Sequence, residues 1–489
     1  MPRGLDRFYD RLSRIPHTPL LFLLVPPIIG TVRIFEEELL HGGKMNFDHG
    51  VYHVAIGYLL LQMMMLLALR VATGRPWREL TGVVSVGLLL AWLPPVFDLW
   101  FTNPEHIHYV YFREFRWSFV AGEQMAGESL TLWLVVFSAG VYAAWATRHP
   151  GRTLLGMLLG WSALQVYAWG WPALTIELFG QVAPRLQVDF MNFVALVLIL
   201  LVWALLNPRT MWRSLARFNH ALPFGLAATI AARMAGGEWL FVVPVGVGVA
   251  LAFQLVVVAN DYFDREQDAA GGAAARGATR DDMYVATLLQ VYLLGWLLFF
   301  YPNAVGGMVL FLAGWACYHH PELRLKRFFP VSYVIEGLAG AASFIIGIYV
   351  LGPRPEGDWA PFWTLMAFSA FFAGSVFKDY KDVEQDRAAG VETFYTRNVE
   401  LGRSPAVTHG FVVGVTVVTF LVTPLWYWVV GRPTWQVGLL AALACVPGGL
   451  LLLIPNRRLA VETTLLAYAA FLATVALTVP SLVAVTPPG

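Results

Sequence analysis

Apolar runs long enough to cross a bilayer follow one another along nearly the whole chain, separated by short polar connectors. They fall at about 18–34, 51–69, 80–100, 129–147, 153–172 and 187–206, and this pattern predicts six transmembrane helices. A basic connector with Arg209, Arg213 and Arg217 follows. Beyond it, runs at about 220–235, 239–259, 283–301, 304–319, 331–351, 360–377, 407–430, 435–454 and 460–484 predict nine more. The expected fold class is an all-α polytopic membrane protein with two domains, residues 1–209 and 210–489. Met1 to Arg14 is basic and amphipathic, as expected of a segment lying on the membrane surface.

Composition agrees with that pattern: 58% of the 489 residues are hydrophobic and only 13% charged, more apolar surface than a soluble domain needs. A net charge of +1 gives no reason to expect a nucleic-acid partner. Cys317 and Cys445 both lie in apolar runs, so neither a disulfide framework nor a zinc site is implied. Charge placement supplies an orientation. With the N-terminus inside, most Lys and Arg fall in the cytoplasmic loops, among them Arg75, Arg148, Arg213, Arg276, Lys326, Lys381 and Arg457, and few fall opposite, such as Arg113 and Arg432.

Candidate chemistry comes from a phrase written twice, VANDYFDREQDAAG from Val258 and FKDYKDVEQDRAAG from Phe377. Asp261, Asp264 and Asp268, like Asp379, Asp382 and Asp386, are spaced by three and then four residues, which places each triad on one face of a helix. Each triad ends an apolar run, where carboxylates are costly unless a metal, water or cation compensates them. Two such triads at a membrane surface suit Mg²⁺, which favours hard oxygen ligands and bridges phosphate oxygens, so the partner expected is a diphosphate.

These residues resemble the two aspartate-rich motifs of the UbiA-type intramembrane prenyltransferase superfamily. Asn260-Asp261-x-x-Asp264-x-x-x-Asp268 matches the first, and Asp379-x-x-Asp382-x-x-x-Asp386 with Arg387, Gly390 and Thr393 matches the second. Tyr318 to Arg327 (YHHPELRLKR) is similar to the basic loop between the motifs in several branches. The resemblance spans roughly residues 210–489 and implies a nine-helix bundle. It also implies an isoprenyl diphosphate ionised at the cytoplasmic face, with Mg²⁺ held by the six aspartates. The prenyl group would pass to a lipophilic acceptor in the bilayer, aromatic or isoprenoid, such as a quinone precursor or a carotenoid. Asp261, Asp264, Asp379, Asp382, Arg276 and Lys378 are the catalytic candidates. Asn260, Tyr318, Arg324, Lys326, Tyr380 and Arg387 are the substrate-binding candidates. The chain departs from the family after the first motif: many members carry K-x-R-P-L there, whereas this sequence runs AAGGAAARGATRDD and keeps only Arg276 as a near match.

The resemblance does not reach the first two hundred residues, and no family is recognised in them. Their outer segments hold His49 and His53, four apart on one helical face, and His106 and His108, with several carboxylates near them. Interfacial, solvated side chains explain this group; a second metal or redox site is the sharper reading. Two alternatives therefore stand beside the transferase. One is a terpene cyclase using the same ionisation. The other is a polyprenyl-lipid-binding C-terminal half serving a metal-dependent N-terminal enzyme.

Overall fold

In a computed structural model the described residues are 3–14, 19–41, 47–101, 126–170, 218–263, 280–290 apart from 282, 302–320, 325–350, 359–388, 390–429 and 434–478, with a few isolated positions. Among them there is no strand. Seven helical segments are long and apolar enough to cross a membrane: Trp77–Asp98, Ala126–Thr147, Val331–Val350, Ala360–Lys381, Pro405–Val429, Trp435–Leu453 and Arg457–Thr478. The protein is an all-α, polytopic membrane protein.

The chain forms two compact units, one of residues 1–208 with 279–291, the other of 209–278 with 292–489. The run at 283–301, expected in the second domain, thus begins in the first unit.

The first unit contains α1 (Arg3–Arg14), α2 (Pro19–His41), α3 (Phe47–Thr73), α4 (Trp77–Gly87), α5 (Leu93–Phe101), α6 (Ala126–Thr147) and α7 (Pro150–Gln165). A 3₁₀ turn at Leu88–Trp92 joins α4 to α5. The basic helix α1 turns its apolar side inward, and the rings of Tyr9 and Tyr142 meet edge to face at 5.3 Å. Trp145 Nε1 donates to Asp6 at 3.0 Å. At the start of α4, Pro76 offers no side-chain cap. The carboxylate of Asp281 takes that place, accepting from the backbone N–H of Trp77 at 3.2 Å and of Arg78 at 3.5 Å. Tyr284 on the same returning segment donates to Thr81 at 3.1 Å. The pull of segment 279–291 into this unit thus has a physical cause: it closes the open end of α4.

The second unit contains α8 (Phe218–Met234), α9 (Trp239–Phe263), α10 (Pro302–His319), α11 (Val331–Val350), α12 (Trp359–Lys378), α13 (Val383–Ala388), α14 (Phe394–Glu400), α15 (Pro405–Val429), α16 (Thr434–Leu453) and α17 (Arg457–Thr478). Neighbour-to-neighbour packing runs α8, α11, α12, α15, α16, α17 and back to α8, with α9 on α8 and α10 on α11. Small residues permit the close approaches, as membrane helix packing requires. A Cβ on Gly225 of α8 would come within 2.5 Å of the Gly246 carbonyl of α9. A core of Phe344, Trp363, Phe420, Tyr427, Tyr468 and Phe471 fills one end of the unit. A second core, with Phe377, Tyr395, Val412, Leu451, Val461 and Leu465, lies under the second aspartate motif and fixes its footing.

Candidate active site

The second aspartate motif occupies the point where α12 ends. The expected single helix carrying all three aspartates is broken: Asp379–Lys381 form a 3₁₀ turn, Asp382 leaves helical geometry at φ −111°, ψ 11°, and α13 begins at Val383. Two backbone bonds nevertheless keep the aspartates a turn apart, Asp382 N–H to the Asp379 carbonyl at 3.1 Å and Asp386 N–H to the Asp382 carbonyl at 2.7 Å. The tighter 3₁₀ turn and the non-helical Asp382 separate α13 from α12. Gly390, at φ +67°, makes the left-handed turn after α13 that a side chain would strain. Thr393 then caps α14 in a reciprocal bond pair with Thr396.

Burial and the neighbouring charge of Asp382 push the Asp386 carboxyl up to about 6. Asp379, two turns before, accepts a hydrogen bond from Tyr333 Oη at 2.8 Å. Tyr333 Oη in turn accepts from the backbone N–H of Phe394 at 2.7 Å, tying α11 to the loop after the motif.

Lys378, the last residue of α12, is ion-paired with Glu336 of α11. Glu336 is 7% exposed and also accepts from Tyr318 Oη of α10 at 3.1 Å. Three helices therefore meet at one buried carboxylate. From Tyr318 a column of aromatic rings leads into the unit: Trp315 at 5.3 Å, then Phe253 at 4.9 Å from Trp315, Phe224 at 4.7 Å from Phe253, and Phe371 at 4.4 Å from Phe224. Polar residues thus sit at one end of a stack of buried, mutually packed aromatic rings.

The basic loop reaches the same place. Lys326, in a 3₁₀ turn at Leu325–Arg327, donates to Asn260 Oδ1 of α9 at 3.3 Å. The Arg327 carbonyl accepts from Glu392 N–H at 3.1 Å. The loop is thereby bonded on one side to the helix of the first motif and on the other to the segment after the second. On a further flank, Lys381 pairs with Glu462 of α17 at 3.0 Å, and Asn219 of α8 donates to the same carboxylate.

Of the residues singled out from sequence, Asn260, Tyr318, Lys326, Lys378, Asp379, Asp382 and Asp386 lie on these meeting elements. Tyr380 faces elsewhere: its ring stacks on His409 at 3.9 Å, with the Arg457 guanidinium 5.2 Å from its centre. Arg387 is exposed on α13. Asp261 falls within α9. Its side chain, together with Asp264, Asp268, Arg276 and Arg324, lies outside the described residues. His49 and His53 fall in α3 with side chains not described, and His106 and His108 lie outside the described residues, so the outer histidine group is not joined here.

Glu336 and Tyr333 escaped the sequence reading. The signal was present: Glu336 is the one acidic residue in the twenty of α11, and an ionisable group inside an apolar run marks a functional contact.

Several solved structures are similar to this chain. One concerns a digeranylgeranylglyceryl phosphate synthase, with 19% identity over 55% of this chain and 97% of that one and a TM-score of 0.40. Two are of a UbiA homologue from Archaeoglobus fulgidus, bound to DMAPP and Mg²⁺ or to GPP and Mg²⁺, each with 14% identity over 56% of this chain and 98% of that one and a TM-score of 0.38. No curated protein matches the chain. The profile described as the UbiA prenyltransferase family matches residues 221–475, more than half of the chain. The protein therefore belongs to the UbiA prenyltransferase family of intramembrane enzymes.

Proposed function

We propose that this protein ionises an isoprenyl diphosphate between its two aspartate motifs and transfers the prenyl group to a lipophilic acceptor, an aromatic ring or another isoprenoid. The observation that carries this reading is the meeting of Asp379, Asp382 and Asp386 with Lys378, Lys326 and a buried aromatic column in one unit. Charged groups are placed to hold a diphosphate, and apolar rings to hold its tail.

The carboxylates suit a hard divalent cation, and the raised Asp386 carboxyl beside Asp382 marks a pair of negative groups that a cation would relieve. Among the described residues no three acidic, histidine or cysteine side chains form a ready ligand set by themselves. Asp379, Asp382 and Asp386 would therefore hold Mg²⁺ jointly with phosphate oxygens and with Asp261, Asp264 and Asp268. The chemistry a bound Mg²⁺ supplies is neutralisation of charge growing on the departing diphosphate.

The protein's own groups do the rest. Lys326, Arg324, Arg276 and Arg387 are the cations available for the remaining phosphate oxygens, and Lys378 holds its ammonium at the mouth through Glu336. The bond from the prenyl C1 to diphosphate oxygen breaks with its electron pair leaving on oxygen. The aromatic column keeps water from the allylic cation and offers ring faces to it. The acceptor then supplies the electron pair for the new bond and releases a proton. Loop charges support a cytoplasmic position for the N-terminus and both motifs.

The test uses the purified full-length protein, a radiolabelled isoprenyl diphosphate and Mg²⁺. Asp379→Ala or Asp382→Ala should abolish diphosphate release, and chelator should abolish it in the unchanged protein. Release near the unchanged rate in either variant, or in excess chelator, would overturn the assignment.

A further inference from the structure

The first unit holds a partly open cavity of about 290 Å³, walled by α1, α2, α3, α6, α7 and the stretch from α4 to α5. Two of its walls, Trp77–Asp98 and Ala126–Thr147, have the length and hydropathy of membrane spans, and α1 borders it with Phe8, Tyr9 and Leu12. Its lining is mainly apolar, with Leu132 and Leu164 among the contributors.

Two polar groups in that lining have no partner. Gln62 is 0% exposed; its Nε2 donates to Ser85 Oγ at 3.1 Å, while its Oε1 makes no hydrogen bond. Thr131 is 5% exposed, and its Oγ1 makes none either. A helical threonine ordinarily satisfies its hydroxyl on the carbonyl one turn back, as Thr31, Thr73 and Thr147 do in this unit. Arg33 and Glu128 also border the space, and Arg33 donates to the Ala91 carbonyl at 2.5 Å.

Unpaired buried polar atoms are costly unless something in the cavity completes them. A hydroxyl group carries the complement that both atoms call for, a donor for the Gln62 oxygen and an acceptor for the Thr131 hydroxyl. The volume matches that of roughly ten water molecules at the ~30 Å³ each takes up in the liquid, room for an organic molecule of comparable size. We propose that the first unit binds a lipophilic alcohol or phenol, seating its hydroxyl at Gln62 and Thr131 and its apolar body in the cavity. This site is independent of the aspartate motifs.

The test is equilibrium binding to the full-length protein in nanodiscs. The probes are geraniol, a 4-alkylphenol of equal size, and 2,6-dimethyl-2,6-octadiene, the hydrocarbon that matches geraniol without its hydroxyl. At least one hydroxylated probe should bind with one-to-one stoichiometry and at least tenfold more tightly than the hydrocarbon; the tighter of the two identifies the ligand as prenyl alcohol or phenol. Gln62→Leu and Thr131→Val should each cost about tenfold for that probe and leave hydrocarbon binding unchanged. Ser138→Phe, which fills the cavity, should remove saturable binding of all three. Melting temperatures show which variants are folded. Should Ser138→Phe fail to fold, the two near-isosteric variants decide the matter. No preference for the hydroxyl, equal binding by Gln62→Leu and Thr131→Val, or loss of binding in Asp382→Ala instead would overturn the proposal.

Discussion

The ionisable residues of the second unit are held by a few short contacts, and each contact has a measurable consequence. Asp386 shows this for protons. Its carboxyl, normally near 3.8, is pushed up to about 6 by burial and by Asp382. The folded, metal-free protein therefore holds this proton more tightly than the unfolded chain does. The stability this group contributes is fully present below about pH 4 and is lost as pH rises through about 6. A cation reverses that sign, because it binds the carboxylate and must displace the proton. Mg²⁺ should raise the melting temperature at pH 7.5 and do so far less at pH 5; equal shifts at both pH values would remove Asp386 from the ligand set.

Glu336 shows the same for charge. Replacing it by Leu leaves the Lys378 ammonium without its buried partner, a loss expected to cost about 3–5 kcal/mol. Replacing both by Leu should restore much of that stability while activity stays low. Thermal melts of the single and double variants separate the two effects, and additive losses would show that the pair is not coupled.

At the scale of elements, the segment after Asp386 works as a fitted connector. The left-handed turn at Gly390 ends α13, and the Thr393–Thr396 pair opens α14, so two short helices stand in a fixed relation with Tyr333 clasped between them. Family motifs place a threonine here, and the structure gives Thr393 a capping role on a buried helix end. Thr393→Val should lower stability by about 1 kcal/mol, while Thr393→Ser should retain most of it. Near-equal melting temperatures for the two variants would dismiss the cap as a contributor. In the second motif the aspartates stand one turn apart in the chain, as their spacing implied. The spacing did not reveal the break at Asp382, because period-matching registers residues per turn and a 3₁₀ turn followed by an α-turn preserves that spacing almost unchanged.

At the scale of the molecule, the long helices among the described residues coincide with apolar runs, since a segment crossing lipid must satisfy its own backbone and be apolar over most of its surface. The runs from 331 to 351 and from 435 to 454 match α11 and α16 within a residue or two. Contacts between distant segments were not legible. Glu336 draws Lys378 and Tyr318 from other helices, and Asp281 serves a helix some two hundred positions earlier. The lone acid in an apolar run marks Glu336 itself, but nothing local names its partners, because the geometry that joins them exists only after the helices pack. Orientation can be tested directly: single cysteines placed at Arg148 and Arg458 of a cysteine-free protein should be shielded from an impermeant reagent added outside intact cells, and one at Arg432 should react. The reverse pattern would turn the whole assembly over.

The bond from Asp281 to the start of α4 has a consequence for how this protein is inherited and handled as pieces. The connector near Pro208 looks like a natural place to cut, yet the first unit owns a segment that the ribosome delivers some seventy residues beyond that point. A fragment ending at 208 would carry a helix without its stopper, and a fragment beginning at 209 would carry the stopper without its helix. The two stretches of gene are thus interleaved, and neither is a cassette that recombination could lift out whole.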